Sequence, residues 1–171
     1  MIMIKPSTAY GQRTIDLLHE RGVELKDIAD LVMYLQKDFI KDLTSEMALH
    51  SVQTVLNKRE VQNAVITGIQ LDIAAEHHAL MEPLQTIVER DESLYGVDET
   101  MALSIVDLYG SIGFTNYGYI DRTKPGILAK LNAHEPGIIH TFLDDLVGAI
   151  AAAGAARLAH DDANEQDTPF K

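Results

Sequence analysis

Apolar residues recur along this chain at the three- and four-residue spacing of helices, while the two-residue alternation of half-buried strands is scarce. The spacing predicts a first helix from about Thr14 to Glu20, stopping before Gly22, which is placed like a C-cap. A second, about Glu24 to Lys37, lines up Ile28, Leu31, Val32 and Leu35 on one stripe. Thr44 is a good N-cap for a third, which carries Met47, Val52, Val55 and Leu56. A fourth opens near Lys58 and Arg59 and continues to about His78. Its Val61, Val65, Ile69 and Ile73 repeat every four residues, giving one strongly directional face.

In the second half, Pro83 fits the first turn of a helix holding Leu84, Ile87 and Val88. Asp98 and Glu99 open the next, through Met101, Leu103, Ile105, Val106 and Leu108. Gly110 and Gly113 introduce a segment ending near Asp121, and Pro125 turns Lys124 away from helical geometry. A short helix, about Ile127 to Leu131, and a Glu135-Pro136-Gly137 turn lead to a last helix from about His140 to His160. The pattern reads as one all-α, multihelical domain over residues 10–160 without transmembrane helices. The ends, 1–9 and 161–171, are expected to be flexible.

Charge narrows the function classes. The 171 residues carry 14 Lys+Arg against 26 Asp+Glu, a formal net charge of −12. A general nucleic-acid binder needs clustered cations, and passive adsorption to anionic lipid is disfavoured too. An acidic chain that handles an anionic substrate usually needs a divalent cation between the two. With no Cys there is no disulfide, thiolate metal site or cysteine nucleophile. No stretch reaches the roughly 18–20 apolar residues of a membrane span. The most apolar, Leu146 to Ala159, is interrupted by Gly148, Gly154 and Arg157, and suits either a core or a subunit interface. The N-terminus lacks a secretory signal, so a cytoplasmic protein is expected, with transient membrane-surface contact and homo-oligomerisation both open.

Four clusters could carry chemistry. Asp98-Glu99 either complements a helix dipole or offers oxygen ligands to a hard cation such as Mg²⁺. In Asp121-Arg122-Thr123-Lys124-Pro125, Asp121 and Lys124 form either a surface ion pair or a carboxylate and ammonium aimed at one substrate. Asp144-Asp145 lies between Phe142, Leu143 and Leu146, Val147, several residues inside the expected last helix. At least one of the two must approach the apolar face, where it needs a basic partner or a cation. In the stretch from Lys58 to Asp72, Arg59 or Asn63 could contact a phosphate, although a solvated helix start followed by a core stripe explains the pattern as well. His77-His78 without HExxH, glycines without GxGxxG, and serines without GxSxG support no site.

Taken in order, Asp98-Glu99, Asp121-x-x-Lys124-Pro125 and Asp144-Asp145-Leu-Val-Gly-Ala-Ile-Ala-Ala-Ala-Gly154 resemble the phosphatidylglycerophosphatase A family. The segments 58–65, 82–87 and 110–116 resemble its soluble branch in Gram-positive bacteria, the YutG-like and low-temperature-requirement C proteins. The resemblance implies Mg²⁺-dependent hydrolysis of phosphatidylglycerophosphate to phosphatidylglycerol and phosphate. It makes Asp98, Glu99, Asp144 and Asp145 the acidic metal and catalytic set, with Asp121 and Lys124 the second motif and Lys124 the contact to a phosphate oxygen. Either Asp121 or Asp145 could be the general base. The membrane branch has an arginine three residues before the second-motif Asp, where this chain has Gly118; Arg59 or Arg122 could stand in for it. A soluble phosphomonoester is the alternative substrate, and a non-catalytic metal-binding interaction or regulatory protein is the alternative class.

Overall fold

The computed structural model describes residues 8–166, with side chains through 163. Its helices are α1 (Ala9–Glu20), α2 (Leu25–Gln36), α3 (Ser45–Leu56), α4 (Arg59–Glu76), α5 (Leu84–Glu89), α6 (Val97–Val106), α7 (Gly110–Thr123), α8 (Ile127–Leu131) and α9 (Leu143–Gln166). A 3-10 turn, Asp107–Tyr109, joins α6 to α7. No strand occurs among the described residues, so the all-α expectation holds. None of the described helices is long and apolar enough to cross a membrane.

Local chemistry sets most boundaries. The Thr8 hydroxyl accepts from the Gly11 N–H, so α1 starts at Ala9 rather than near Thr14. Gly22 follows α1 at φ 78°, a conformation that costs other residues free energy. Glu24 and Asp27 form a reciprocal capping box at the head of α2, and Thr44 caps α3 through the Met47 N–H.

Helix α9 is the centre of the domain. From Leu143 to Ala156 every side is buried, by α2 and α3 on one flank, α6 and α7 on the other, and α4. A helix that is apolar all round belongs inside a protein, and the Ala-Gly run proves to be core within a single chain. Its small side chains allow close approach: the Ser51 hydroxyl of α3 reaches the Gly154 carbonyl at 2.9 Å. The helix continues to Gln166, and residues 1–7 and 167–171, most of the expected flexible ends, lie outside the described residues.

Helix α4 crosses the head of α9 at Gly68. A Cβ there would stand 3.0 Å from Phe142 Cβ and 2.4 Å from Leu146 Cδ1. The leucine tip can rotate away, but the phenylalanine Cβ moves only with its backbone. Gly68→Ala should therefore lose about 1–2 kcal/mol in urea unfolding, despite the better helix propensity of Ala. A gain in stability would contradict this close crossing.

Candidate active site

The site forms where the end of α7 meets the beginnings of α9 and α6. Lys124 caps α7 in the left-handed conformation (φ 44°, ψ 53°), its N–H donating to the Ile120 carbonyl at 2.9 Å. Pro125 disfavours the right-handed helical region for Lys124, which ends the helix there. The ammonium Nζ then donates to Asp121 Oδ1 at 2.6 Å and Asp144 Oδ2 at 2.9 Å, and stands 3.7 Å from Asp145 Oδ1. The side chains of Asp144 and Asp145 are only 9% and 7% exposed, so this is no loose surface pair.

Helix α9 begins at Leu143, not His140, which puts both aspartates in its first turn. The N-terminal partial charge favours carboxylates there. The turn is anchored by Asp72 of α4, fully buried, whose carboxylate accepts from the Phe142 N–H at 3.0 Å and the Leu143 N–H at 3.0 Å. Asp98 sits in the first turn of α6, buried, with Oδ1 lacking any hydrogen-bond partner. Its neighbour Glu99, turned about 100° away, is exposed at the rim.

Negative charge dominates. Burial and then the neighbouring Asp144 push Asp145 up to about 8, against the pull of Lys124. Burial likewise raises Asp144 and Asp98, with Asp91 adding repulsion to both. Burial alone would lower Lys124, but Asp144 and Asp121 raise it and keep it charged. Tyr117 of α7 completes the wall, its buried hydroxyl beside Asp145.

Three carboxylates, Asp121, Asp144 and Asp145, thus face the Lys124 ammonium, and Asp91 and Asp98 add negative charge beside Asp144 and Asp145. The excess charge, the all-oxygen donor set and the orphaned Asp98 oxygen fit a hard divalent cation in kind. Among the described residues no three or more His, Cys, Asp or Glu are gathered closely enough to hold a metal, and the Lys124 ammonium stands where Asp121, Asp144 and Asp145 converge.

Of the residues singled out in the sequence, the fold brings together Asp98, Asp121, Lys124, Asp144 and Asp145, with Glu99 alongside. Arg59 is placed elsewhere. It starts α4, thirteen residues before Asp72 and so about 20 Å along the helix from it. Its guanidinium stacks on Tyr10, 3.9 Å from the ring centroid. Asp72, Asp91 and Tyr117 were not singled out. Asp72 lay inside a stretch noted for other residues, and neither Asp91 nor Tyr117 belongs to any motif.

Beside the site, Arg21 donates to Glu76 at 3.0 and 2.5 Å and to the Ile139 carbonyl at 2.7 Å, with His140 at 3.3 Å. Burial and then the Arg21 charge push His140 down to about 4. The imidazole is neutral when folded, whereas an unfolded His titrates near about 6.5. Its contribution to stability is therefore complete above about pH 6.5 and is lost as pH falls towards 4. Burial raises Glu76, but hydrogen bonds from Arg21 and the Ile139 N–H outweigh it and leave it low, so its contribution is lost only at lower pH. His140→Gln removes the His140 contribution, so the Tm of the variant relative to wild type should rise as pH falls from 6.5 to 4; a difference that does not change with pH would contradict the assignment.

The model of the family Phosphatidylglycerophosphatase A matches residues 17–160. Protein YutG of Bacillus subtilis is 63% identical over 143 residues, covering 84% of this chain and 86% of YutG. YpjQ of the same organism is 51% identical over 154 residues, covering 90% and 86%. The crystal structure of the low temperature requirement C protein from Listeria monocytogenes matches with a TM-score of 0.90 at 59% identity, covering 93% of this chain and 99% of that one. On this match in sequence and fold over most of its length, the chain belongs to the phosphatidylglycerophosphatase A family.

Proposed function

We propose that this chain is a Mg²⁺-dependent phosphatase acting on a phosphate monoester, with phosphatidylglycerophosphate as the first substrate and phosphatidylglycerol and phosphate as products. The observation that carries the reading is the Lys124 ammonium held among Asp121, Asp144 and Asp145 at the head of a buried helix. A structural ion pair does not need three carboxylates, two of them buried; a site that receives a phosphoryl group beside a cation does.

Asp98, Asp144 and Asp145, with Glu99 at the rim, would hold Mg²⁺ only once they draw together as Lys124 gives up part of its carboxylate contact; when bound, the ion supplies charge neutralisation at the phosphoryl oxygens and a more acidic water. Lys124 exchanges part of its carboxylate contact for a phosphate oxygen, and its raised pKa keeps it charged. Asp121 serves as the base. With a side chain 33% exposed, it is the most open of the three carboxylates around Lys124, where water arrives. It takes the proton of the attacking water as the phosphorus–oxygen bond to the alcohol breaks, and the alkoxide regains a proton from solvent. With no membrane-crossing helix among the described residues, a lipid phosphate would be met at the inner membrane face, from the cytoplasm.

A soluble phosphomonoester is the second reading. It is favoured by Gly118, where a side chain would meet nothing within 4 Å, leaving open the place of the membrane branch's arginine. Lys124→Ala tests the shared mechanism. Assayed in Mg²⁺, where the cation offsets the carboxylates, it should lower kcat/KM about 100-fold while Tm falls little. Parallel losses of Tm and activity would make Lys124 a structural partner instead.

A further inference from the structure

The ammonium of Lys124 stands at the point that a cation shared by Asp144 and Asp145 would need. It lies 2.9 Å from Asp144 Oδ2 and 3.7 Å from Asp145 Oδ1, with Asp121 Oδ1 at 2.6 Å on its outer side. The lysine side chain is 24% exposed, against 9% and 7% for Asp144 and Asp145, so it forms the open side of the cluster. Its root is fixed, because Lys124 closes α7 in the left-handed conformation and Pro125 follows directly. The flexible four-carbon stem is what can move. Asp98, buried nearby, keeps one carboxylate oxygen without a hydrogen-bond partner, so the site holds acceptor capacity that this single ammonium does not use.

We propose that Lys124 is a displaceable counter-ion: it keeps divalent cations weakly bound until a phosphate draws its ammonium away, so that cation and phosphate load the site cooperatively. The inference rests on the phosphatase reading for the two ligands and concerns how their binding is regulated. Like charges a few ångströms apart repel strongly in a buried site. A cation can therefore reach Asp144 and Asp145 only as Lys124 swings outward and loses charge-assisted hydrogen bonds. A phosphate arriving on the open side offers the ammonium new acceptors and offers the cation a further oxygen ligand. By linkage, each ligand then raises the affinity of the other by the same factor. With neither bound, the ammonium compensates carboxylates whose unpaired burial would cost stability.

The test measures Mg²⁺ binding to the full-length protein by calorimetry at neutral pH, with and without inorganic phosphate, in wild type, Lys124→Gln and Lys124→Arg. Without phosphate, Lys124→Gln should bind Mg²⁺ about tenfold more tightly than wild type, because the competing charge is gone. Lys124→Arg keeps that charge and should stay within about twofold of wild type. At equal free Mg²⁺, phosphate should tighten the binding by wild type about tenfold and that by Lys124→Gln much less. NMR of the Lys124 side chain supplies a readout in the wild-type protein that no variant has to fold for: its signal should shift when Mg²⁺ and phosphate are added together. Unchanged or weaker Mg²⁺ binding by folded Lys124→Gln, with a Lys124 signal that does not respond, would overturn the counter-ion role and leave the phosphatase reading standing. Tighter binding by Lys124→Gln, where wild type hydrolyses no phosphate ester, would keep the counter-ion and overturn the phosphatase reading. No Mg²⁺ binding by either protein, with or without phosphate, would overturn both.

Discussion

Asp145→Asn is expected to lower phosphate release by about 10²- to 10³-fold while raising the Tm of the metal-free protein. The two effects have one cause. Asp145 is 6% exposed, adjoins Asp144 and has Asp98 and Asp121 as further like-charged neighbours, against the single nearby ammonium of Lys124. A buried carboxylate in such surroundings costs stability, and asparagine keeps its shape without its charge. Each kcal/mol regained should raise Tm by about 2–4 °C in a chain of this size. The same substitution removes an anionic oxygen from the place where a cation and a phosphoryl group must be held. Differential scanning calorimetry of the apo protein and phosphate release with Mg²⁺ read the two sides. A Tm that drops in step with activity would mean that Asp145 serves the fold instead.

The largest stability loss should come from Asp72→Ala, at about 2–4 kcal/mol in urea unfolding. Asp72 is fully buried, and its carboxylate receives the first free N–H groups at the head of α9. Alanine would leave both groups unsatisfied in the core, beside an uncapped helix terminus. Burial pushes Asp72 up to about 8, against the Phe142 and Leu143 N–H groups and Arg21. Asp72→Asn retains an acceptor oxygen and avoids the buried charge, so it should lose far less than Asp72→Ala. Because Asp144 and Asp145 follow directly in the same turn, Asp72→Ala should also lower activity beyond the fraction unfolded. Wild-type stability in Asp72→Ala would show that α9 does not depend on this cap.

What could be read along the chain followed from how local each signal is. The four-residue repeat of Val61, Val65 and Ile69 places three fully buried residues on α4, because the helix period alone selects that face. The Thr44 cap and the Gly22 stop were legible for the same reason: each acts within a few residues. Asp144 and Asp145 stood out because carboxylates in an apolar run demand a partner, and Lys124 supplies one across twenty positions.

The pattern puts the start of α9 near His140, and the structure puts it at Leu143. Thr141 donates instead to the Val88 carbonyl at 2.6 Å, and the Phe142 N–H goes to Asp72, partners far away along the chain. Arg59 shows the opposite limit. A cation near a helix start looks suited to phosphate, and only the length and direction of α4 place it on Tyr10, far from Asp72. Asp91 belongs to no motif; it takes the left-handed conformation directly after the C-cap Arg90 of α5, its N–H donating to the Val88 carbonyl, a place where glycine is the usual sequence signal.

The central claim, that the acidic cluster with Lys124 performs metal-dependent phosphomonoester hydrolysis, is tested most directly by phosphate release. Phosphatidylglycerophosphate in mixed micelles and a panel of soluble phosphomonoesters would be assayed with and without Mg²⁺, with Asp145→Asn as the control. Release should require Mg²⁺ and disappear in Asp145→Asn; release from the lipid alone assigns the family's substrate, and release from soluble esters alone assigns the second reading. No release from any ester by a folded protein that binds Mg²⁺ would contradict the account and leave a helical interaction or regulatory protein in its place.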